Sequence, residues 1–428
     1  MSDSMNDEEK SLVPRLRFPE FREAGEWKEN KMGKVLKESP CPITMNEEKE
    51  YSLVTVKRRY GGVVSRGILK GKSIKVKSQF SLEENDFLIS KRQIVHCACG
   101  VVPKPLAGSI VSNEYSVLRA REGFDIFFLE HFSRQPIVSR SFLKCSIGIV
   151  IEKMLFKLND WLKEKFLFPP IAEQQKIADC LSSLDALIAA QADKLDALKT
   201  HKKGLMQQLL PRESETVPRL RFPEFWEAGE WEEKTIADLK PFVTSGSRGW
   251  AAFYAKNGSL FVRITNLTRE SIYLDLTDSK FVQLPREANE GVRTQLKEGD
   301  VLISITADIG IIGYVDVNIL SPAYINQYIA LVRFDLPDVC SKYVSYLLAS
   351  DGAQNLFRAS TDTGTKAGMS LIMVQKIKLV LPALPEQQKI ADCLSSLDVL
   401  ITAQADKLDA LKIHKKGLMQ QLFPSPEA

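Results

Sequence analysis

Two blocks of this sequence occur twice while the segments between them differ, which limits the chain to a repeated frame carrying unlike inserts. Residues 13–21, Val-Pro-Arg-Leu-Arg-Phe-Pro-Glu-Phe, return unchanged as 217–225, and Ala-Gly-Glu-Trp at 24–27 returns at 228–231. Residues 173–211 return as 386–424 with four differences: Ala186/Val399, Ala189/Thr402, Thr200/Ile413 and Leu210/Phe423. The segments between, about 29–168 and 233–381, have no visible similarity to each other. A chain of 428 residues is long enough for two or more domains, each with its own core.

The longer repeat follows Pro169 and Pro170 in one copy and Pro382 to Pro385 in the other, which marks a helix start. Ile177, Leu181, Leu184, Ile188, Gln191, Leu195, Leu198, Lys202, Leu205 and Leu209 are then spaced alternately four and three, a coiled-coil seam. Ile390, Leu394, Leu397, Ile401, Gln404, Leu408, Leu411, Lys415, Leu418 and Leu422 keep the same register, so one helix can pack on the other. About 38 helical residues make a rod of roughly 57 Å, a spacer able to hold two globular units apart. An antiparallel pairing would bring Gln191 and Gln404 close at mid-seam, either as a register-fixing polar pair or in a partly solvated seam. Cys180 and Cys393 read as small core residues beside the seam, and His201 and His414 as members of a solvated face. The identity extends to surface positions such as 193–196 and 201–203, which packing does not require. Either the duplication is recent, or both copies offer one outer face to two copies of one partner; the second accounts better for frames that stay alike while inserts diverge.

The net charge of +4 is small for this length, so a nucleic-acid surface has to come from local clustering. Such a cluster exists: from Tyr51 to Lys77 there are Lys57, Arg58, Arg59, Arg66, Lys70, Lys72, Lys75 and Lys77 and no acidic residue, interleaved with Tyr60 and glycines. Cations and backbone N–H groups on loops and short strands suit phosphates. Ser90, Lys91, Arg92 and Gln93, after the strand-like Phe87-Leu-Ile, suit base edges. In the second insert the candidates are scattered at the ends of strand-like runs. They are Ser245, Ser247, Arg248 and Trp250, the indole offered for stacking or shape fit; Arg263, Thr265 and Asn266; Thr306; Asn326 and Gln327; and Thr365 and Lys366. Strand signals fall on 87–89, 94–95, 110–111, 261–262, 301–305 and 329–332, and a helical stretch on 341–356, so each insert is expected to be a mixed α/β (α+β) domain.

No catalytic constellation emerges. Gly67-Ile-Leu-Lys-Gly-Lys-Ser is one residue short of a phosphate loop. His96-Cys97-Ala98-Cys99 lacks a second Cys/His pair at zinc spacing and reads as buried or loop-packing residues. Seven cysteines form no regular framework, the first ten residues carry no apolar run, and no later stretch reaches the length of a membrane span. A cytoplasmic protein away from the membrane is expected.

In these blocks the chain resembles the specificity subunits of Type I restriction-modification systems. The resemblance rests on Pro-Arg-Leu-Arg-Phe-Pro-Glu-Phe in both copies, on Pro-Glu-Gln-Gln-Lys-Ile-Ala at 385–391 with its partner at 172–178, and on Asp-Phe-Leu-Ile-Ser-Lys-Arg at 86–92. Gly-Asp-Val-Leu-Ile-Ser at 299–304 and Thr-Gly-Thr-Lys at 363–366 add to it. Ala172 departs from the pattern where Pro385 keeps it, which touches only the helix start.

The resemblance implies two globular target-recognition domains separated by two long antiparallel coiled-coil helices, a pseudo-twofold internal repeat. The expected layout is a tail and first repeat box at 1–30, a recognition domain at 31–168, a central helix at 169–211 and a second box at 212–231. A second recognition domain at 232–383, a distal helix at 384–424 and a tail at 425–428 complete it. Each recognition domain would contact half of an interrupted double-stranded DNA sequence, and unlike inserts imply unlike half-sites. Two methylation subunits, binding S-adenosylmethionine, would dock on the helices, and restriction subunits using ATP and Mg would join them. The chain itself would be non-catalytic and hold no cofactor. A helical adaptor whose inserts bind proteins is the alternative, against which the acid-free basic run argues. A self-contained methyltransferase or nuclease would need a cofactor fold or a metal cluster.

Overall fold

In a computed structural model of the chain, the described residues are 13–212, 215–285, 291–319, 322–361 (without the side chains of 359–361) and 368–424. They form two compact units. The residues up to Ala192 together with those from Lys407 onward make the first, and Asp193–Asp406 the second. Two long helices, Ile171–Leu209 and Leu384–Gln421, each give one half to each unit. The fold is mixed α/β, with two β-rich domains joined by the two long helices.

The seam expected from the four-three spacing is present. Every one of its positions on both helices is buried or half-buried, while His201 and His414 are exposed and Cys180 and Cys393 half-buried. In the second unit Lys202 bonds Asp398, and Leu209 shares a core with Ile390 and Leu394. In the first, Lys415 bonds Asp185, and Leu422 shares a core with Ile177 and Leu181. As one helix advances the other retreats, so the pairing is antiparallel. Gln404 is buried and Gln191 half-buried.

The short repeated box acquires a role that its sequence did not announce. In the first unit Arg17 grips both carboxylate oxygens of Glu173, at 2.7 and 2.6 Å, and gives a third bond to the Gly25 carbonyl at 2.6 Å. In the second, Arg221 grips Glu386 at 2.7 and 2.7 Å and the Gly229 carbonyl at 2.6 Å. Bidentate arginine–carboxylate pairs fix geometry as well as charge, and a glutamate in the first turn opposes the helix dipole favourably. Gly25 and Gly229, with φ of 72° and 73°, turn the chain so that its carbonyl meets the guanidinium. The next residue ties the frame to the insert. Gln174 accepts from the N–H of Asp125 at 3.0 Å, just before the helix Ile126–Phe132. Gln387 accepts from the N–H of Cys340 at 2.9 Å, just before the helix Ser341–Ala349.

Each insert leaves and rejoins the frame at one place. Lys28–Lys31 pairs antiparallel with Lys165–Phe168, and Glu232–Thr235 with Lys378–Leu381. Inside, the inserts share more than their sequences reveal: both are mixed α/β, as expected, and both contain the same four-stranded sheet. In the first, a four-stranded sheet runs in the order Leu36–Glu38, Tyr115–Ala120, Phe87–Ser90, Cys99–Val101. In the second, Phe242–Ser245, Ile329–Arg333, Val301–Ser304 and Ile312–Tyr314 repeat that order. Asp86 accepts from the Glu83 N–H at 2.7 Å and from Arg119 at 2.6 Å. Asp300 does the same with the Lys297 N–H and Arg333, all at 2.7 Å. The register matches as well: Phe87 opposes Leu118, and Val301 opposes Val332. The likeness is hidden in the sequence because a buried strand asks only for apolar side chains of suitable volume, so its identity drifts while its pattern stays.

Two local expectations fail. Ile94 and Val95 lie in the 3-10 turn Ile94–His96, closed by Cys97 in the left-handed region, and not in a strand. The helix expected over 341–356 is broken at the extended residue Ser350 into Ser341–Ala349 and Asp351–Thr361.

Candidate nucleic-acid interface

In the first unit the basic run folds into a hairpin, Glu50–Val56 and Val63–Lys70, on the edge of a five-stranded sheet. Its turn carries Lys57, Arg58 and Arg59, all exposed. Arg59 and Tyr60 both have positive φ, 55° and 56°, a strained conformation held from outside. Their N–H groups donate to the carbonyls of His96 and Cys97 at 2.8 and 2.9 Å. Gly61 is required because a Cβ there would stand 2.7 Å from that of Lys57. Docking the turn brings the two basic clusters together: Arg58 Nε donates to Gln93 Oε1 at 2.7 Å.

Tyr60 itself is an anchor. Its ring is half-buried, its hydroxyl donates to the Ser133 carbonyl at 3.0 Å, and burial raises its phenol well above the usual value. Ser90 is buried too, Lys91 reaches the Asn113 carbonyl at 2.9 Å, and exposed Arg92 pairs with Glu114 at 2.7 Å.

The acid-free run does not stay acid-free in space. Lys70 ends its strand, roughly 23 Å along the hairpin from the turn. Lys72 and Lys75 follow it, exposed, and Lys72 faces Glu48 at 3.5 Å. The sequence patch is therefore two patches. The bulge that opposes Leu53/Val54 leaves Arg66 unpaired in the ladder, beside Gly67 at φ 101°. Cys99 lies buried on its strand, its thiol pushed up to about 12 by burial. Among the described residues no group of three or more His, Cys, Asp or Glu is placed to hold a metal ion.

In the second unit, the loop 244–250 lies against the loop at Asn326. A Cβ on Gly246 would stand 2.2 Å from the Asn326 carbonyl, so only glycine permits the approach. Ser245 and Ser247 are half-buried and Arg248 is exposed. Arg293, which nothing in its local sequence flagged, donates to the hydroxyls of Thr244 and, at 3.0 Å, Ser247. Thr265 is exposed, and Thr306 and Gln327 are half-buried.

Besides Tyr60 and Ser90, four residues of the second insert singled out as contacts are committed to the fold. Trp250 is only 3 % exposed and stacks on Phe261, ring centroids 5.0 Å apart, so it offers no free face. Asn266, 1 % exposed, accepts from the Arg263 N–H and donates to the carbonyls of Asp275 and Asp278. Asn326 is buried and caps the Tyr328 N–H, and Arg263 pairs with Asp278 at 2.9 Å. Thr365 and Lys366 lie outside the described residues. By the register shared between the two sheets, Arg92 and Thr306 occupy corresponding positions, two residues beyond corresponding strand ends at Ser90 and Ser304. Each domain thus presents loops at the same end of the same strand, with different chemistry.

Comparison with known proteins agrees with this geometry. The family described as the Type I restriction modification DNA specificity domain matches residues 20–200 and 229–412, once in each copy of the repeat. The Type I restriction enzyme MjaVIII specificity subunit of Methanocaldococcus jannaschii is 26% identical over 270 residues, covering 60% of this chain and 61% of that one. The putative MjaX specificity subunit of the same organism is 25% identical over 312 residues, covering 70% and 66%. The chain thus spans less than two thirds of either relative's length. The crystal structure of the S subunit of a Type I restriction-modification system from M. genitalium shares the fold with a TM-score of 0.61 at 14% identity, covering 97% of this chain and all of that one.

Proposed function

The chain belongs to the Type I restriction-modification DNA specificity family, and from that premise we propose that it is the sequence-reading, non-catalytic subunit of such a complex. Two recognition domains, 31–168 and 232–383, each bind one half of an asymmetric, interrupted double-stranded DNA target. The first reads through the turn at Lys57, Arg58 and Arg59 together with Arg92 and Gln93. The second reads through Ser247, Arg248, Thr265, Thr306 and Gln327, with Arg293 holding the serine loop. The paired helices dock two methylation subunits, which hold S-adenosylmethionine, and restriction subunits join with ATP and Mg. The complex works in the cytoplasm. Among the described residues no helix is long and apolar enough to cross a membrane.

The observation that carries this proposal is the repeated sheet with unlike loops. The Asp86–Arg119 and Asp300–Arg333 clasps hold one scaffold in both inserts, yet the corresponding positions beyond the strand are Arg92 and Thr306. Rigid scaffolds with divergent loops are how one fold reads different ligands, and a guanidinium and a hydroxyl prefer different base edges. The test is to exchange residues 29–168 for the corresponding segment of another specificity subunit and map the methylated motif. One half-site changes and the other stays; a change in both contradicts the proposal.

A further inference from the structure

One surface feature of the first unit is used by neither the frame nor the cationic turn. The strands Ser146–Ile147 and Leu155–Phe156 form a short hairpin whose tip is aliphatic and exposed. Ile149 is 103% exposed, Ile147 56%, Val150 50% and Ile151 52%. Contiguous exposed aliphatics on an otherwise polar surface mark an interaction site. The tip is also built. It closes through the 3-10 turn Ile151–Lys153, and Gly148, at φ 144°, is a position where a Cβ would meet the Met154 backbone at 3.0 Å. Its base is nailed into the core by Phe156, whose ring lies 6.0 Å from both Phe142 and Trp161.

Its position decides what it meets. The Phe156 N–H donates to the Lys91 carbonyl at 2.9 Å, so the hairpin is stitched to the same loop that carries Arg92 and, through Gln93, holds Arg58. Exposed Lys153 follows the tip in its closing turn, and Glu152 is the one acid beside it. An aliphatic tip set among cations matches a polyanion with apolar faces between its charges, which describes stacked base pairs flanked by phosphates.

We infer that the 147–151 tip is a wedge that inserts into the duplex at the half-site read by the first domain and unstacks one base step. The inference rests on the DNA-reading function proposed above. Aliphatic side chains carry no hydrogen-bonding groups, so the tip contributes distortion and shape selection while Arg58 and Arg92 supply charge.

The experiment uses the full chain assembled with its methylation subunit on its mapped target, with 2-aminopurine placed at successive positions of that half-site. The wild-type complex brightens the probe at one step. Ile149→Ser with Val150→Ser abolishes the rise and weakens binding roughly a hundredfold, as loss of two buried aliphatic contacts would. Ile149→Leu retains both, and native mass spectrometry finds the same subunit composition for all variants. Binding without brightening at any step overturns the wedge alone. Loss of the methylation subunit from the serine variant overturns it in favour of a protein-docking tip. Failure of the wild-type complex to bind any mapped motif overturns the DNA-reading function as well.

Discussion

Lys202 of the first long helix places its Nζ 2.5 Å from Oδ1 of Asp398 on the second, with both side chains buried. The other oxygen of Asp398 accepts from the Tyr346 hydroxyl at 2.5 Å, and burial together with that carboxylate drives the Tyr346 phenol far above its usual value. Lys415 and Asp185 occupy the equivalent repeat positions and bond each other in the first unit. Each pair therefore joins the lysine of one repeat copy to the aspartate of the other. That is a physical reason for both to persist in both copies.

Lys202→Met leaves a buried carboxylate facing only a phenol, which costs about 3–5 kcal/mol. Adding Asp398→Leu recovers much of that loss, because the uncompensated charge goes with it. Urea unfolding of the assembled protein measures both, and equal losses in the single and double variants would show that the pair is not the source. Lys415→Met is milder, since Asp185 is 40% exposed and keeps water.

His131 gives the first unit a pH dependence. It is buried against Ser182 at 3.1 Å, and burial, then Lys415 and Arg134, lowers its pKa from 6.5 to about 4, with Asp185 opposing. The folded state therefore resists protonation that the unfolded state accepts. Stability is at its full value above pH 6.5 and falls as the pH drops toward 4, by up to about 3 kcal/mol from this group. In thermal melts between pH 7 and 4, His131→Gln flattens the decline; an unchanged slope would assign it to other groups.

Arg17→Lys breaks the clasp on Glu173, because an ammonium cannot span both carboxylate oxygens and the Gly25 carbonyl. The expected loss is about 3 kcal/mol, with Arg221→Lys alike in the second unit. Protease susceptibility of the helix starts reads it directly.

The frame was legible because a coiled coil writes its contacts as a one-dimensional period: Ile177 to Leu209 could be placed on a seam from spacing alone. The strand cores 87–89 and 301–304 were legible for the same reason. The clasps were not. Arg17 and Glu173 lie 156 residues apart, and nothing local in either marks them as partners. The site was legible only in part, because a side chain's type says what it can contact but not whether it faces solvent. Trp250 and Asn266 have the chemistry of readers and are spent on holding loops. Lys72 looked free of acids in sequence and faces Glu48 across the hairpin. The aliphatic run 147–151 carries no local mark of exposure, and only the hairpin turns it outward.

These differences separate contacts from supports. Arg58→Ala and Arg59→Ala each lower the slope of log affinity against log salt by about 0.9 if each neutralises one phosphate. Trp250→Ala destabilises the second unit by about 3–5 kcal/mol and acts on DNA only through that loss. Filter binding over a salt series, beside unfolding curves, checks both. An unchanged salt slope for both arginine variants would remove the turn from the interface.

The most direct measurement of the central claim is single-molecule mapping of N6-methyladenine in DNA from cells carrying the methylation subunit, with and without this chain. The account predicts one asymmetric bipartite motif that is present only with the chain. A motif that persists without it, or no motif from an assembled complex, contradicts the chain's role as the reader and favours a protein-binding adaptor.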